Sequence, residues 1–553
     1  MVILYDTRDL KFLKKVMNVI SYIVRAFLDL PKQFRLSYLP PLLVYMAAGI
    51  SGLTAIVGTF FIKDYLNLSA AFLAGLGFWA GLPWALKMPL GHLVDLIWKH
   101  KNYMVFLGAS IIAASLLIMH GLIAHTQSMA AILPVENWYV ISVIFAPIGF
   151  VVQDVVADGM TVEAVPKYDT DGTIFSDKEV KTMHTTMQTL GRLAIISGSL
   201  LVALINVIIF SGTETLDEKQ RVQLYADVYI YALVIPMVSI LGVFLAKYLS
   251  YNTQKAAPLN EKTVKASQTN ERNNTEINWS ILLGSLAFVI FSVGIGMSNI
   301  PFSQEIVFGG STGIILFLMK SLMRHMSASQ KNTVIGTAVI IFVFRAMPSP
   351  GPGMTWFEID KLFFDEYFFS ILSLLASALT LVGIVLLRSF MANNSIAKII
   401  VILSLLSALL LLPSIGMVYG FHLWTSSITG GLVDAKFIAI INTALESPLG
   451  QVAMIPLLAW IAKNAPENMK ATFFAVLASF TNLALSASAL GSKYLNQIFV
   501  VTREVKDKVN GNIVSSADYS ELGILMVSIA LVTLCIPIAT IFIVQNSKYK
   551  SEE

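Results

Sequence analysis

The chain has 553 residues, 56% of them hydrophobic and 13% charged. Soluble domains carry about 25% charged residues, so this composition argues against a soluble protein and for a polytopic helical membrane protein. A formal charge of +4 gives no argument for nucleic acid. The single cysteine, Cys535, excludes a disulfide framework, and seven scattered histidines show no zinc spacing, so no metal or cofactor is expected.

In chain order, residues 1–37 come first. The apolar piece VMNVISYIV is short and lies between Lys15 and Arg25, with no small-residue cleavage site after it. The expectation is an amphipathic helix on the cytoplasmic face rather than a cleaved signal. Six spans are predicted near 39–62, 70–94, 103–125, 138–160, 187–210 and 223–249, forming a half over 38–250. A polar linker rich in Asn, Thr, Lys and Glu follows over 251–278. Two apolar runs, 279–299 and 304–323, read as an inserted helix pair within 279–330. Six more spans, near 332–347, 368–389, 396–418, 435–462, 470–497 and 521–545, make a second half over 331–547, and 548–553 is a tail. The reading is therefore an all-α polytopic protein of about fourteen spans, built as two six-helix halves plus an inserted pair.

Lys and Arg cluster in 1–37, at Lys99 and Lys101, at Lys178 and Lys181, in the linker, at Lys320 and Arg324, at Arg388 and Lys398, at Lys463 and Lys470, and in the tail. All fall on one side if both termini are cytoplasmic. The loop 498–520, with Arg503, Lys506 and Lys508, is the exception on the opposite side.

The chemistry concentrates in a few places. LPWALKMPLGHLVDLIWKHK sets Gly91 and Asp95 four apart ahead of Lys99, with Lys87 still inside an apolar run. QDVVADGMTVE continues an apolar span, and its Asp154 and Asp158 share one helical face. Ionised groups at membrane depth are costly unless paired or facing water. Two readings stand for this pair: a structural ion pair near the cytoplasmic interface, or a proton- or substrate-binding site. Glu163 reads as the structural kind. Cations that could face the acids are Arg192 in QTLGRLAIISG and Arg345 in IIFVFRAMPSP. Glu446, in INTALESPLG, is the second-half counterpart of the Asp154 region. The stretch 344–364 carries three prolines and two glycines before Phe357 and so breaks a helix, which membrane proteins tolerate where backbone lines a cavity.

Together, LPWALKMPLGHLVD, QDVVADGMTVE, FRAMPSPGPGMTWF and MIPLLAWIAKNAPENMKATFFAVLASFTNLA resemble the folate-biopterin transporter family of the major facilitator superfamily, over about 38–250 and 331–545. Lys470 departs from that pattern, which would have an acid nearby. The resemblance implies a monomeric secondary transporter in a plasma membrane, the bacterial inner membrane in the first instance. Its partners would be the lipid bilayer, a small-molecule substrate and a coupling proton. It also implies Gly91 and Asp95 as a conformational loop, and folate or pterin as solute, with S-adenosylmethionine or a muropeptide as alternatives. A polytopic membrane enzyme would need a nucleophile, a metal cluster or a large catalytic loop, and neither 251–278 nor 498–520 offers one.

Overall fold

Proline and glycine decide where the helices start and break. In the computed structural model α1 (Leu36–Tyr65) carries Pro40 and Pro41 in its first α-helical turn, where an absent N–H costs nothing, and tightens into a 3-10 turn over Ser51–Thr54. The structure describes residues 34–66, 68–85, 100–165, 175–256, 300–323, 326–450, 470–506 and 513–551, with single positions or short pieces at 87, 90, 94, 97, 283, 287, 290–292, 294–296 and 452. The amphipathic segment 1–33, nearly all of the linker and the loop residues Gly91 and Asp95 lie outside these.

The first half continues with α2 (Ala70–Ala85), α3 (Lys101–Ala124), α4 (Val135–Ala164), α5 (Asp177–Ile209) and α6 (Glu218–Leu249). α5 begins ten residues before the predicted span, because Ser176 and Glu179 form a capping box that satisfies the first amides. The inserted helix α7 (Ser303–Leu322) follows. The second half has α8 (Ala328–Arg345), α9 (Pro352–Asp360), α10 (Glu366–Leu386), α11 (Ile396–Val418), α12 (Ala435–Glu446), α13 (Lys470–Ile498) and α14 (Leu522–Gln545).

Among the described residues, eight helices are long and apolar enough to cross a membrane, and α2 is a shorter apolar helix. Large apolar side chains such as Leu409, Leu412 and Phe542 stand more than half exposed. In a membrane protein these are lipid-facing rather than misplaced. The protein is a multi-pass integral membrane protein.

One predicted span is described only in part and one expectation is corrected. Within 435–462, α12 ends at Glu446 and passes into a 3-10 turn, Ser447–Leu449, with Pro448 inside it, and most of the remainder lies outside the described residues. The segment 498–520 is more than a loop. It holds an antiparallel pair, β1 (Val505–Lys506) and β2 (Ile513–Ser515), with Val505 opposite Ser515. Asn510 and Gly511, a hairpin-turn dipeptide, lie between the strands in sequence. The predicted break at 344–364 is present: α8 stops at Arg345, Gly351 takes φ +70, and α9 restarts the helix.

The first half packs around one apolar core running through Phe60, Phe61, Ile112, Leu122 and Tyr225, onto which Ile359 and Phe369 of the second half also pack. The second half has its own cluster through Phe364, Met417, Leu525 and Met526. At the joint, α2 and α13 lie side by side, and Phe78 and Leu82 meet Leu490 and Val307 of the inserted helix. Between apolar helices in lipid, association depends on such close packing and on interhelical hydrogen bonds.

Candidate functional site

α4 carries the two aspartates, and its rotation is fixed by the residue before them. Gln153 is buried and donates from Nε2 to the Val105 carbonyl of α3 (3.1 Å) and to Ser239 Oγ of α6 (2.9 Å). With Gln153 locked between α3 and α6, Asp154 and Asp158 point away from it, one helical turn apart.

They meet Lys87, just beyond α2. Its ammonium lies 2.5 Å from Asp154 Oδ2 and 2.7 Å from Asp158 Oδ2. The contact with Asp154 is an ion pair. Asp158 also accepts a 2.5 Å hydrogen bond at Oδ1 from the Tyr45 hydroxyl of α1. Tyr45 can lie there because α5 has a glycine beside it: a Cβ on Gly191 would sit 2.9 Å from Tyr45 Cε2. Four helical segments of the first half therefore converge on one charged cluster. Asp154 is the deeper acid, with 13% of its side chain exposed against 41% for Asp158.

Arg192 follows Gly191 and is exposed, and its charge acts on both Asp154 and Tyr45. It also acts on Arg345, at the last turn of α8 in the other half. Of the predicted residues, then, Lys87, Asp154, Asp158, Arg192 and Arg345 share one electrostatic neighbourhood. Glu446 does not join them. It is exposed at the end of α12, and among the described residues no hydrogen bond or ion pair links it to the cluster. By repeat symmetry it is the second-half counterpart of the Asp154 region, and α12 passes into a 3-10 turn directly after it. Gly91 and Asp95 lie outside the described residues.

Glu163 pairs with Lys101 at the start of α3, as its structural reading expected. Sequence reasoning missed Tyr45. Nothing in the local pattern distinguishes it among eighteen tyrosines; its role comes from the packing of α1 on α4 and α5. Gln153 stood in the quoted motif but gave no sign that it faces away from the acids.

What this arrangement can do is hold and exchange charge at membrane depth. One ammonium is shared by two carboxylates, so a proton or a ligand cation taken by either acid leaves Lys87 a second partner. Among the described residues no group of three metal-ligating side chains gathers.

A helical bundle of two halves with charges held between its helices is the architecture of a major facilitator-type transporter, and solved structures share it. A POT family transporter solved in complex with 5-aminolevulinic acid superposes with a TM-score of 0.58 at 13% identity, covering 93% of this chain and 96% of that one. The nucleoside transporter NupG, solved as a point mutant, gives 0.51 at 12% identity, covering 92% and 99%. At such identities the likeness is one of fold. Sequence goes further: residues 48–553 match the BT1 family, and the chain belongs to it. A relative from Synechocystis sp., a folate-biopterin transporter, is 20% identical over 445 residues, covering 80% of this chain and 71% of the relative. The protein is a membrane transporter and not an enzyme.

Proposed function

We propose that this protein is a secondary active transporter in the plasma membrane that carries a folate, a pterin or a similar flat organic solute by alternating access, coupled to protons. The observation that carries this reading is the sharing of Lys87 between Asp154 and Asp158. A charge cluster inside a helical half is costly, and a transporter uses it when ligand or proton exchanges with one of its members. The 2-amino-4-oxo edge of a pterin presents paired donors that suit a carboxylate such as Asp154. Arg192 and Arg345, from opposite halves, suit the carboxylates of a folate glutamate tail. A proton on Asp154 would free Lys87 to pair with Asp158 alone, which couples occupancy of the site to protonation. The Synechocystis relative supports the solute class by its name.

The test is uptake into proteoliposomes of labelled folic acid and labelled biopterin, with and without an inward proton gradient. S-adenosylmethionine and a muropeptide serve as competitors. Gradient-driven uptake of folic acid or biopterin that is lost in Asp154→Asn supports the reading. Uptake of S-adenosylmethionine or muropeptide alone would replace the solute class, and gradient-independent uptake would remove the proton.

A further inference from the structure

Arg503 sits in the segment after α13, on the side that the Lys and Arg distribution assigns to the outside, and yet it is only 3% exposed. Its guanidinium reaches across to the other half. Nε donates to the Lys63 carbonyl (2.7 Å), Nη1 to the Leu68 carbonyl (2.6 Å), and Nη2 to the carbonyls of Ile62 (2.9 Å) and Leu66. Two of these belong to the last turn of α1 and the other two to the chain just after it, at the negative end of the helix dipole; the Ile62 carbonyl also accepts from the Leu66 amide and the Leu66 carbonyl from the Leu68 amide. The same guanidinium lies over the Trp356 ring of α9, 4.2 Å from its centroid.

Beside it, Lys63 of α1 pairs with Asp360 at the end of α9, and Asp360 accepts a 2.5 Å hydrogen bond from the Tyr519 hydroxyl. Further along, Tyr225 of α6 donates to the buried Glu366 at the start of α10, and Phe60 of α1 packs edge-on against Phe369 of α10. This ion pair and these charged hydrogen bonds join the first half directly to the second at this one end.

We infer that Arg503, with Trp356, Lys63, Asp360 and Tyr519, is a latch that holds the outer ends of the two halves together, and that its release is the step by which the transporter opens outward. The guanidinium suits this task. It offers five donors in a fixed plane, so one side chain covers several carbonyls that a lysine could not satisfy together. Those carbonyls are free to bond water once the halves part, so the latch is reversible. It also accounts for a basic residue on the side where the charge rule disfavours one. The inference rests on the alternating-access reading above.

The test uses the full-length protein in lipid nanodiscs, with Cys535→Ser as background so that introduced cysteines are the only thiols. One spin-label pair, at Thr215 and Ser427, both exposed, reports the outer ends; a second, at Ser176 and Gln330, also exposed, reports the inner ends. Distance distributions are read by electron–electron resonance for the parent, Arg503→Gln and Tyr519→Phe. Arg503→Gln is expected to raise the ratio of long to short outer distances by about tenfold or more, since it removes several hydrogen bonds to a charged group. Tyr519→Phe, which removes one hydroxyl and keeps the ring against Phe357, is expected to raise it by a smaller factor. An unchanged outer distribution in folded Arg503→Gln overturns the latch; should that variant not fold, an unchanged distribution in Tyr519→Phe does so. If outer distances lengthen while inner distances stay fixed, the latch stands and the alternating-access reading fails.

Discussion

Lys87 and Asp154 form a 2.5 Å ion pair between the end of α2 and the middle of α4, and the same ammonium is shared with Asp158 at 2.7 Å. Sharing makes the three residues unequal in what their loss does. Asp154→Asn leaves Lys87 paired with Asp158, so the variant is expected to insert, stay monodisperse and lose no more than about 1–2 kcal/mol. Lys87→Ala leaves two carboxylates facing each other without their cation, at a cost of roughly 3–5 kcal/mol. Combining Lys87→Ala with Asp154→Asn should recover part of that loss. Melting temperatures of the three detergent-purified variants check the order; a Lys87→Ala protein as stable as its parent would contradict the shared pair.

Tyr45 is expected to act as a positioning residue for Asp158. Tyr45→Phe removes a hydrogen bond to a charged acceptor, worth about 1.5–3 kcal/mol, and leaves the ring against Gly191. The larger change is Gly191→Val, whose side chain would occupy space held by the Tyr45 ring and so push the hydroxyl off Asp158 at about 1–3 kcal/mol. If Tyr45 positions the acid, both variants should shift the pH profile of uptake in the same direction, Gly191→Val further. A loss of thermal stability with an unmoved pH profile would leave Tyr45 as packing only.

The acids, the broken helix at 344–364 and most of the spans were legible in the sequence, because each rests on local rules: apolar length, helical periodicity, and proline and glycine chemistry. Lys87 was legible as an anomaly, but its two partners were not, since its meeting with α4 is set by packing of α2 against α4 and α13. Tyr45 and Arg503 were invisible as functional residues for the same reason. Arg503 looked like a breach of the charge rule, and only tertiary contact reveals that its partners are backbone carbonyls, which carry no sequence signature. Glu446 was read as the second-half counterpart of the Asp154 region from repeat symmetry; Pro448, two residues on, lies in the turn where α12 gives way.

The inserted pair gives a topological expectation. α7 docks between the halves: Gln304 donates to the Gly75 carbonyl of α2 (2.9 Å), while Lys493 of α13 donates to Gln304 (3.0 Å) and to Glu305 (2.8 Å). If 279–299 pairs with α7 as a hairpin, the chain returns to the side it left. Reporter fusions at Thr269, which lies outside the described residues, and at Gln330 should therefore both read cytoplasmic. Opposite readings would show that the segment 279–323 does not form a hairpin.

The last expectation concerns the two arginines and separates ligand recognition from fold. Arg192 lies on α5 and Arg345 on α8, so they belong to opposite halves, and the charge of Arg192 acts on Arg345. Two like charges held near one another gain from an anion placed between them. Folic acid carries two carboxylates on its glutamate tail; biopterin has the same kind of ring and none. If the arginines receive the tail, Arg345→Gln should weaken folic acid uptake roughly ten- to a hundredfold, the range expected for losing a charge-assisted hydrogen bond, and leave biopterin uptake nearly unchanged. Arg192→Gln should act in the same sense but more weakly, because its side chain is exposed and water screens it. The relevant readout is the ratio of the two uptake rates in one proteoliposome preparation, since a variant that merely reconstitutes poorly lowers both together. A ratio unmoved by either substitution would show that the arginines do not contact the tail, and would leave the ring-binding role of Asp154 to stand or fall on its own variants.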